Sequence, residues 1–508
     1  MMANTVLFNT TTANTYCHSC KINRFLLTHP VLDYLFKLEK QGIDAANWLQ
    51  NFNAESLEIE GRGVFSRKEV EYYVKKYLLL SENGYLDNLD IKEKTSGRLS
   101  AQAILSQLAN AMQVIFEMTE SCNLQCEYCG YRKFYTGNKL RNKKNLSFAT
   151  AKNLLDYLGR LWNSNLNRSH NRQINLSFYG GEPLLNFPLV KSLVEYANGM
   201  KLRHNRFNFS MTTNGLLLEK CMDFLVKHDF SLLISLDGDE AQNGYRVFPG
   251  GKPAFQVILK NVRALKEKYP AYFEKSVNFN AVLHNKNSVA GIHRYFKESF
   301  NKVPGILELN TVGIDPAAYE EFWKTYKNYS ESVAEAENYS ALEKDMLTML
   351  PEPASAADMI RDYSGYLYSK YNDLIASNEI IQSIPTATCL PFSRKLFLTV
   401  NGKILPCERV RHQFALGFAD ENMVELDFGQ IAEKYNGYYD KIAKFCNSCF
   451  RSKSCKQCIF HLEIDADNPV CYGWMNYQQH SEFLAGRMSY LEKNPRFYYK
   501  FLEEVNFI

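Results

Sequence analysis

The sequence predicts an α/β protein, a parallel sheet rolled into a partial (β/α)6 barrel, with an α+β module before it and a cysteine-rich region after it. Three observations carry that prediction. Between about residues 110 and 315, short apolar runs alternate with amphipathic stretches, the pattern of βαβ units on a parallel sheet. Most of those runs end in polar segments, as expected where a site lies at the C-terminal face of such a sheet. Cysteines then crowd into two regions, Cys122 to Cys129 and Cys389 to Cys471.

Length and composition bound the reading. A chain of 508 residues with 46% hydrophobic content buries large cores and has room for about three domains. Net charge of +4 is close to balance, so the molecule as a whole has no nucleic-acid footprint. The first residues lack a basic n-region, and no apolar run approaches the roughly 18 residues of a membrane span. The expectation is a cytoplasmic protein without membrane or nucleic-acid partners. In that reducing compartment, clustered cysteines read as metal or catalytic ligands rather than disulfides.

Residues 1–98 read as a separate module. Thr5-Val-Leu-Phe and Arg24-Phe-Leu-Leu look like short strands, and His29-Pro-Val-Leu-Asp-Tyr-Leu-Phe-Lys-Leu38 has helical spacing. Ser66 and Glu69 predict a capping box ahead of Val70, Val74 and Tyr77. Gly84 is expected to close that helix and Tyr85-Leu to open another strand. Cys17 and Cys20 form a lone pair of thiols that nothing nearby completes as a metal site.

Barrel strands are predicted at Val114–Met118, Ile174–Phe178, Phe207–Met211, Leu232–Leu236, Val277–Val282 and Ile306–Asn310. Cys221 falls inside an amphipathic helix as a core residue. Residues 316–385 read as helical, with Pro351-Glu-Pro353 as a hinge between two helices. The second cysteine region occupies 386–475. A final amphipathic helix in 476–508 is expected to break near Asn494-Pro495.

The first predicted strand runs straight into Cys122, Cys126 and Cys129, spaced Cys-x3-Cys-x2-Cys. In a chain with 13 cysteines, chance gives that spacing about once in a hundred sequences. Three thiolates can hold three irons of a cubane cluster and leave the fourth open for chemistry. A zinc site would normally want four N/S ligands. With Tyr128 as the aromatic before Cys129, this loop resembles that of the radical S-adenosylmethionine (SAM) enzymes. The resemblance implies that the open iron chelates SAM, whose reductive cleavage gives a 5′-deoxyadenosyl radical.

Further motifs extend it. Gly180-Gly-Glu-Pro183 follows the second strand, where residues without side chains let backbone approach a ligand. In the family this element, here Gly180, Gly181 and Glu182, holds the methionyl amine. Ser235-Leu-Asp-Gly238 and Arg246 resemble the segment whose arginine pairs with the SAM carboxylate, and Thr213, Asn214 and Ser235 are candidate ribose contacts. Many relatives have His-Asp before that arginine, where this chain has Gln242-Asn243. A basic stretch, Arg132, Lys133, Lys139, Arg141, Lys143 and Lys144, interleaves with Tyr131, Phe134 and Tyr135 and reads as a solvated loop or an anionic-substrate site.

The second region holds Cys389, Cys407, Cys446, Cys449, Cys455, Cys458 and Cys471. Taken alone, its Cys-x2-Cys pairs point to structural zinc. Beside the first loop it resembles the SPASM extension, which binds auxiliary 4Fe-4S clusters, with a two-residue gap before Cys458 where three is usual. The resemblance thus implies three 4Fe-4S clusters in all, with SAM. It assigns Cys389, Cys407 and Cys458 to the nearer auxiliary cluster and Cys446, Cys449, Cys455 and Cys471 to the other. Seven cysteines fill only one four-ligand site, which leaves one auxiliary iron open or held by another ligand. Glu408 stands where sulfatase-maturating relatives place an aspartate as general base.

The function this implies is a SPASM-type radical SAM peptide maturase. It would bind the leader of a ribosomally made precursor peptide through a winged-helix-like N-terminal module. It would then form a thioether or carbon–carbon crosslink, fed by a flavodoxin or ferredoxin. The alternatives are an anaerobic sulfatase-maturating enzyme forming formylglycine, a peptide epimerase, and an Fe–S or zinc scaffold without turnover.

Overall fold

The computed structural model describes the chain except residues 1–5, 13, 20–23, 84–96, 137–142, 170, 364–387, 452–454, 467 and 505–508. The chain divides into two compact units. One comprises residues 1–98, 347–388 and 437–508, and the other residues 99–346 and 389–436.

In the first unit, β1 (Val6–Asn9), β2 (Thr15–Ser19) and β3 (Arg24–Leu27) form an antiparallel sheet with β2 central. β4 (Ser56–Ile59) and β5 (Gly63–Ser66) form a hairpin. Helices Pro30–Lys40, Ala45–Gln50 and Arg67–Glu82 close over Val31, Leu35, Phe36, Val70, Val74 and Tyr77. The helical spacing of these apolar residues puts them on single faces, which is why the helices pack rather than fray. The capping box forms as predicted. Ser66 Oγ accepts the Glu69 N–H at 3.4 Å, and Glu69 Oε2 accepts the Ser66 N–H at 2.8 Å. The expected closure at Gly84, the strand at Tyr85 and the Cys20 thiol lie outside the described residues.

Later segments complete this unit. The predicted hinge at Pro351 is instead a helix start, with helix Pro351–Tyr363 opening on the proline itself. A proline ring fixes φ near the helical value and lacks an N–H the first turn cannot use, so it serves as well at a helix start as in a bend. The final helix breaks where expected, into Tyr477–Lys493 and Pro495–Glu504. Glu492 ties the first of these to β2 and the turn before it, accepting from Tyr16 Oη at 2.7 Å and Asn14 Nδ2 at 2.9 Å.

The second unit is built on β6 (Gln113–Glu117), β7 (Arg172–Tyr179), β8 (Asn205–Thr213), β9 (Ser231–Ser235), β10 (Val277–Leu283) and β11 (Gly305–Glu308). These are the six predicted strands, displaced by at most a few residues, and neighbours pair in parallel in sequence order. A seventh parallel strand, β12 (Lys395–Leu398), joins the open side of β6 and carries β13 (Lys403–Leu405), β14 (Gly417–Ala419) and β15 (Val424–Glu425) antiparallel beyond it.

The fold is therefore a mixed α/β, partial TIM-like barrel. On β7, Ile174, Leu176 and Phe178 are buried, while Asn175, Ser177 and Tyr179 alternate with them. Period-two burial sends the apolar set to the helix side and leaves a polar inner side, where Ser210 and Ser177 hydroxyls meet at 3.0 Å. Cys221 is buried on helix Leu218–Lys227, as its spacing predicts. Among the described residues no helix is long and apolar enough to cross a membrane.

Candidate active site and cysteine centres

The loop after β6 is held from both sides. Gly181 N–H donates to Thr119 O at 2.8 Å and Glu182 N–H to Ser121 O at 2.9 Å, so the glycine motif after β7 splints the entry to the cysteines. Gly180 has φ +131°, and a Cβ there would lie 2.5 Å from Thr119 O. Only glycine fits that approach. On the other side, Gln125 N–H donates to Val247 O at 2.7 Å and Glu127 N–H to Tyr245 O at 3.2 Å. The three cysteines thus ride on a loop pinned to the segments that follow β7 and β9.

The donor chemistry around the thiols suits a cluster. Cys122 Sγ receives the Leu124 N–H at 3.4 Å and Asn214 Nδ2 at 3.8 Å. Such N–H contacts favour the thiolate that an iron requires. Burial pushes the Cys126 thiol up to about 12, against the pull of Arg246, with Cys129 and Cys122 among its neighbours. A thiol kept protonated by burial releases its proton on binding metal, so metal loading of this loop is pH-linked. Among the described residues no three His, Cys, Asp or Glu side chains converge as for a single metal ion. Cubane ligands bind separate irons, so a cluster needs no such convergence.

Behind the loop lies a buried charge network that the sequence motifs only half reveal. Asp237, fully buried, takes Arg246 Nη2 on Oδ1 at 2.9 Å and Arg246 Nε on Oδ2 at 3.0 Å. The Tyr128 hydroxyl donates to Asp237 Oδ2, and Val282 N–H donates to Oδ1 at 2.9 Å. His284 Nε2 stands 3.7 Å from the same carboxylate. His284 Nδ1 accepts the Lys286 N–H at 3.2 Å, and its Nε2 also meets Asn287 Nδ2 at 3.3 Å. Although burial opposes ionisation, Arg246 and His284 hold Asp237 down to about 2. Arg246, expected to meet a SAM carboxylate, thus has two of its three nitrogens committed internally. The sequence motifs give Asp237 no role of its own and do not include His284. Their signal was a charged residue and a histidine at two adjacent strand ends.

The remaining candidates separate. Glu182 is buried, its carboxylate accepting Thr213 Oγ1 at 2.7 Å, Asn214 N–H at 2.8 Å and Leu184 N–H at 3.1 Å. Burial raises it to about 7 despite those bonds. Thr213 also accepts Gly215 N–H at 3.1 Å, which leaves its hydroxyl occupied as a strand-end cap. Asn214 divides its amide between Asn123 Oδ1 at 2.7 Å and the Cys122 sulfur. Ser235 ends β9, half-buried on the inner side, where its hydroxyl is bonded to none of the described residues. In the basic stretch, Lys133 pairs with Glu321, Lys144 Nζ donates to Asn401 Oδ1 at 2.9 Å, and Phe134 and Tyr135 are buried against Phe322. Lys139 and Arg141 lie outside the described residues.

Cys389 and Cys407 belong to the barrel unit. Glu408, beside Cys407, has both carboxylate oxygens 3.0 Å from Lys395 Nζ on β12. The ammonium thus occupies both oxygens of the carboxylate. Cys446, Cys449, Cys455, Cys458 and Cys471 belong to the other unit. There Cys449 receives the Met475 and Arg451 N–H groups, Cys471 receives those of Gly473 and Trp474, and both sense Cys455. Burial raises both thiols, and paired backbone donors of this kind suit bound thiolates.

Parts of this chain are similar to known proteins. The chain is 35% identical over 175 residues to an uncharacterized protein of Methanocaldococcus jannaschii, 34% of this chain and 54% of that protein. It is 27% identical over 155 residues to the serine-type anaerobic sulfatase-maturating enzyme of Bacteroides thetaiotaomicron, 29% of this chain and 34% of that enzyme. The aligned segments thus span little more than half of one curated relative and a third of the other. Native anSMEcpe with bound AdoMet and Kp18Cys peptide aligns with 77% of this chain and 99% of its own, at 18% identity and a TM-score of 0.49. The Radical SAM superfamily model matches residues 116–298, from β6 through the helix after β10. Residues 116–298 of this chain are a domain of the radical SAM superfamily.

Proposed function

We propose that this chain is a radical SAM peptide maturase carrying three 4Fe-4S clusters, one at Cys122, Cys126 and Cys129 and two auxiliary ones at the seven later cysteines. The observation that carries this reading is the coexistence of a radical SAM domain with a thiol-rich region in which backbone N–H groups already point at Cys449 and Cys471. When bound and reduced, the first cluster and SAM supply the one-electron cleavage through which a hydrogen is removed from carbon.

The chain's own residues prepare that chemistry. Asn214 and the Leu124 N–H steady Cys122, and Asp237 fixes Arg246 through Nε and one N–H of Nη2, so that the remaining N–H groups of the guanidinium meet a SAM carboxylate. The Ser235 hydroxyl, without a partner among the described residues, is the ribose contact favoured over Thr213. Glu408, paired with Lys395, is the proposed general base. The 1–98 module is the proposed winged-helix-like leader-peptide reader, with 386–475 as a SPASM domain. One of the two auxiliary clusters is the one with an open iron for a substrate thiolate. A reduced flavodoxin or ferredoxin in the cytoplasm supplies electrons.

Formylglycine formation is the second reading, favoured by the Bacteroides relative and opposed by the missing eighth cysteine. The test is mass spectrometry of a Cys-containing precursor peptide after anaerobic incubation with reconstituted protein, SAM and reductant. A crosslink appears as a loss of two hydrogens that survives thiol alkylation. A free aldehyde at the former cysteine would instead establish the sulfatase-maturating reading, and an unaltered peptide would contradict both.

A further inference from the structure

The sheet of the barrel unit ends on one side at β11, which pairs with β10 alone. A strand paired on one side turns alternate N–H and C=O groups outward. Among the described residues no hydrogen bond reaches those outward groups of Gly305–Glu308. Of the features that usually blunt a free edge, β11 has its shortness and the charge of Glu308, whose carboxylate already accepts the Tyr329 N–H. The outward groups repeat about every 6.6 Å, two residues of a parallel strand, and the ligand that matches such a row is another extended polypeptide.

This edge leads to the cysteine loop. On β10 the buried Phe279 meets Phe296 of the outer helix, ring centroids 4.6 Å apart, so the alternate residues Asn280 and Val282 face the inside of the barrel. Leu307 lies beside Val282 in the parallel register and faces the same way. Val282 packs against the buried cluster that contains Tyr128, Tyr245 and Leu309, yet Leu307 stays 47% exposed. Beyond β11, Thr136 N–H donates to Gly313 O at 3.0 Å and Asp315 N–H to Phe134 O at 2.8 Å, which fastens the following segment to the residues after Cys129. A strand laid along β11 thus runs up to the cysteine loop, with alternate side chains turned toward Leu307 and Val282.

We infer that the substrate peptide binds as an added strand on the free edge of β11, its backbone hydrogen-bonded to that strand and one of its apolar side chains covering Leu307. This rests on the reading of the chain as a peptide maturase, and it specifies how the peptide reaches the radical, extended and held by its main chain. Main-chain pairing supplies affinity whatever the sequence, and side chains are read only at alternate positions. The register along β11 then sets which residue arrives at the cysteine loop, because a slip of one residue turns every side chain to the opposite face.

The experiment uses the anaerobically reconstituted full chain and the Cys-containing precursor peptide that mass spectrometry shows to be modified. A series of that peptide is made with one backbone N–H methylated at a time on either side of the modified residue. Along one flank kcat/KM should fall about tenfold at every second position, where a ladder donor is lost, and stay near the parent value between them. Leu307→Lys should raise KM for the unmethylated peptide about tenfold, with iron content as in the parent. A flat scan, or losses without that period of two, overturns the inference and leaves the maturase reading standing. If no peptide is modified, that reading fails and the inference with it. A dimeric parent that Leu307→Lys turns monomeric in sedimentation would give the edge to a second copy and overturn it as well. Should Leu307→Lys lose its iron, the methylation scan, made on the parent, decides.

Discussion

At the scale of single residues, the site is organised by Asp237. A buried ion pair is weak evidence for stability, but breaking one by removing a partner typically costs about 3–5 kcal/mol, because it strands a buried charge. Asp237→Leu should therefore destabilise the barrel unit by about that amount in chemical denaturation, and Asp237→Leu with Arg246→Met should recover a large part of the loss. Additive losses in the double variant would show that the two residues act independently. Glu182 supplies a pH signature. Burial lifts its carboxyl from 4.5 to about 7, so its contribution is fully present below about pH 4.5 and is lost as pH rises through about 7. Stability of the parent should fall across that window relative to Glu182→Gln, by up to about 1.4 kcal/mol per pH unit. Equal slopes for parent and variant would contradict the raised pKa. Gly180→Ala meets both a positive φ and the Thr119 carbonyl, and should cost about 1–3 kcal/mol in backbone strain before any rearrangement of the cysteine loop. The motif sequences named Arg246, Gly180 and Glu182. They did not say that Asp237 clasps the arginine or that Glu182 faces Thr213 and Asn214, because those partners meet only when separate strand ends are brought together.

Among elements, those with a strong local signal were legible. The Ser66 capping box and the break at Asn494-Pro495 depend on residues within one turn, and each appears where its chemistry places it. Ser66→Ala should cost about 1 kcal/mol, read as a lower unfolding midpoint of the helical N-terminal module. An unchanged midpoint would mean that the helix start is held by packing alone. The six barrel strands announced themselves through apolar runs between turn signals. β12 did not, because four residues carry little pattern and their partner β6 lies some 280 positions away in sequence. The same holds for β13 to β15, which Gly402 introduces. With φ +80°, its hydrogen faces Ala419 O where a Cβ would approach to 2.3 Å, so it marks the tight turn between β12 and β13. Pro351 shows the opposite failure, a residue whose two structural uses look identical in sequence.

For the whole molecule, spacing and motif order sufficed to place a partial barrel with a cysteine loop at the end of its first strand. What they could not give was the apportioning of the second cysteine region, since residues 437–508 join the N-terminal segment in one unit while Cys389 and Cys407 stay with the barrel. Such allocation depends on contacts of high sequence separation, which leave no local trace in composition or period. The central claim is that the pinned Cys122–Cys129 loop serves SAM cleavage, and it is tested most directly by quantifying 5′-deoxyadenosine from anaerobically reconstituted protein with SAM and dithionite. The account predicts release by the parent and its loss in Cys126→Ala. No release from the iron-loaded parent, or equal release from the Cys126→Ala variant, would contradict it.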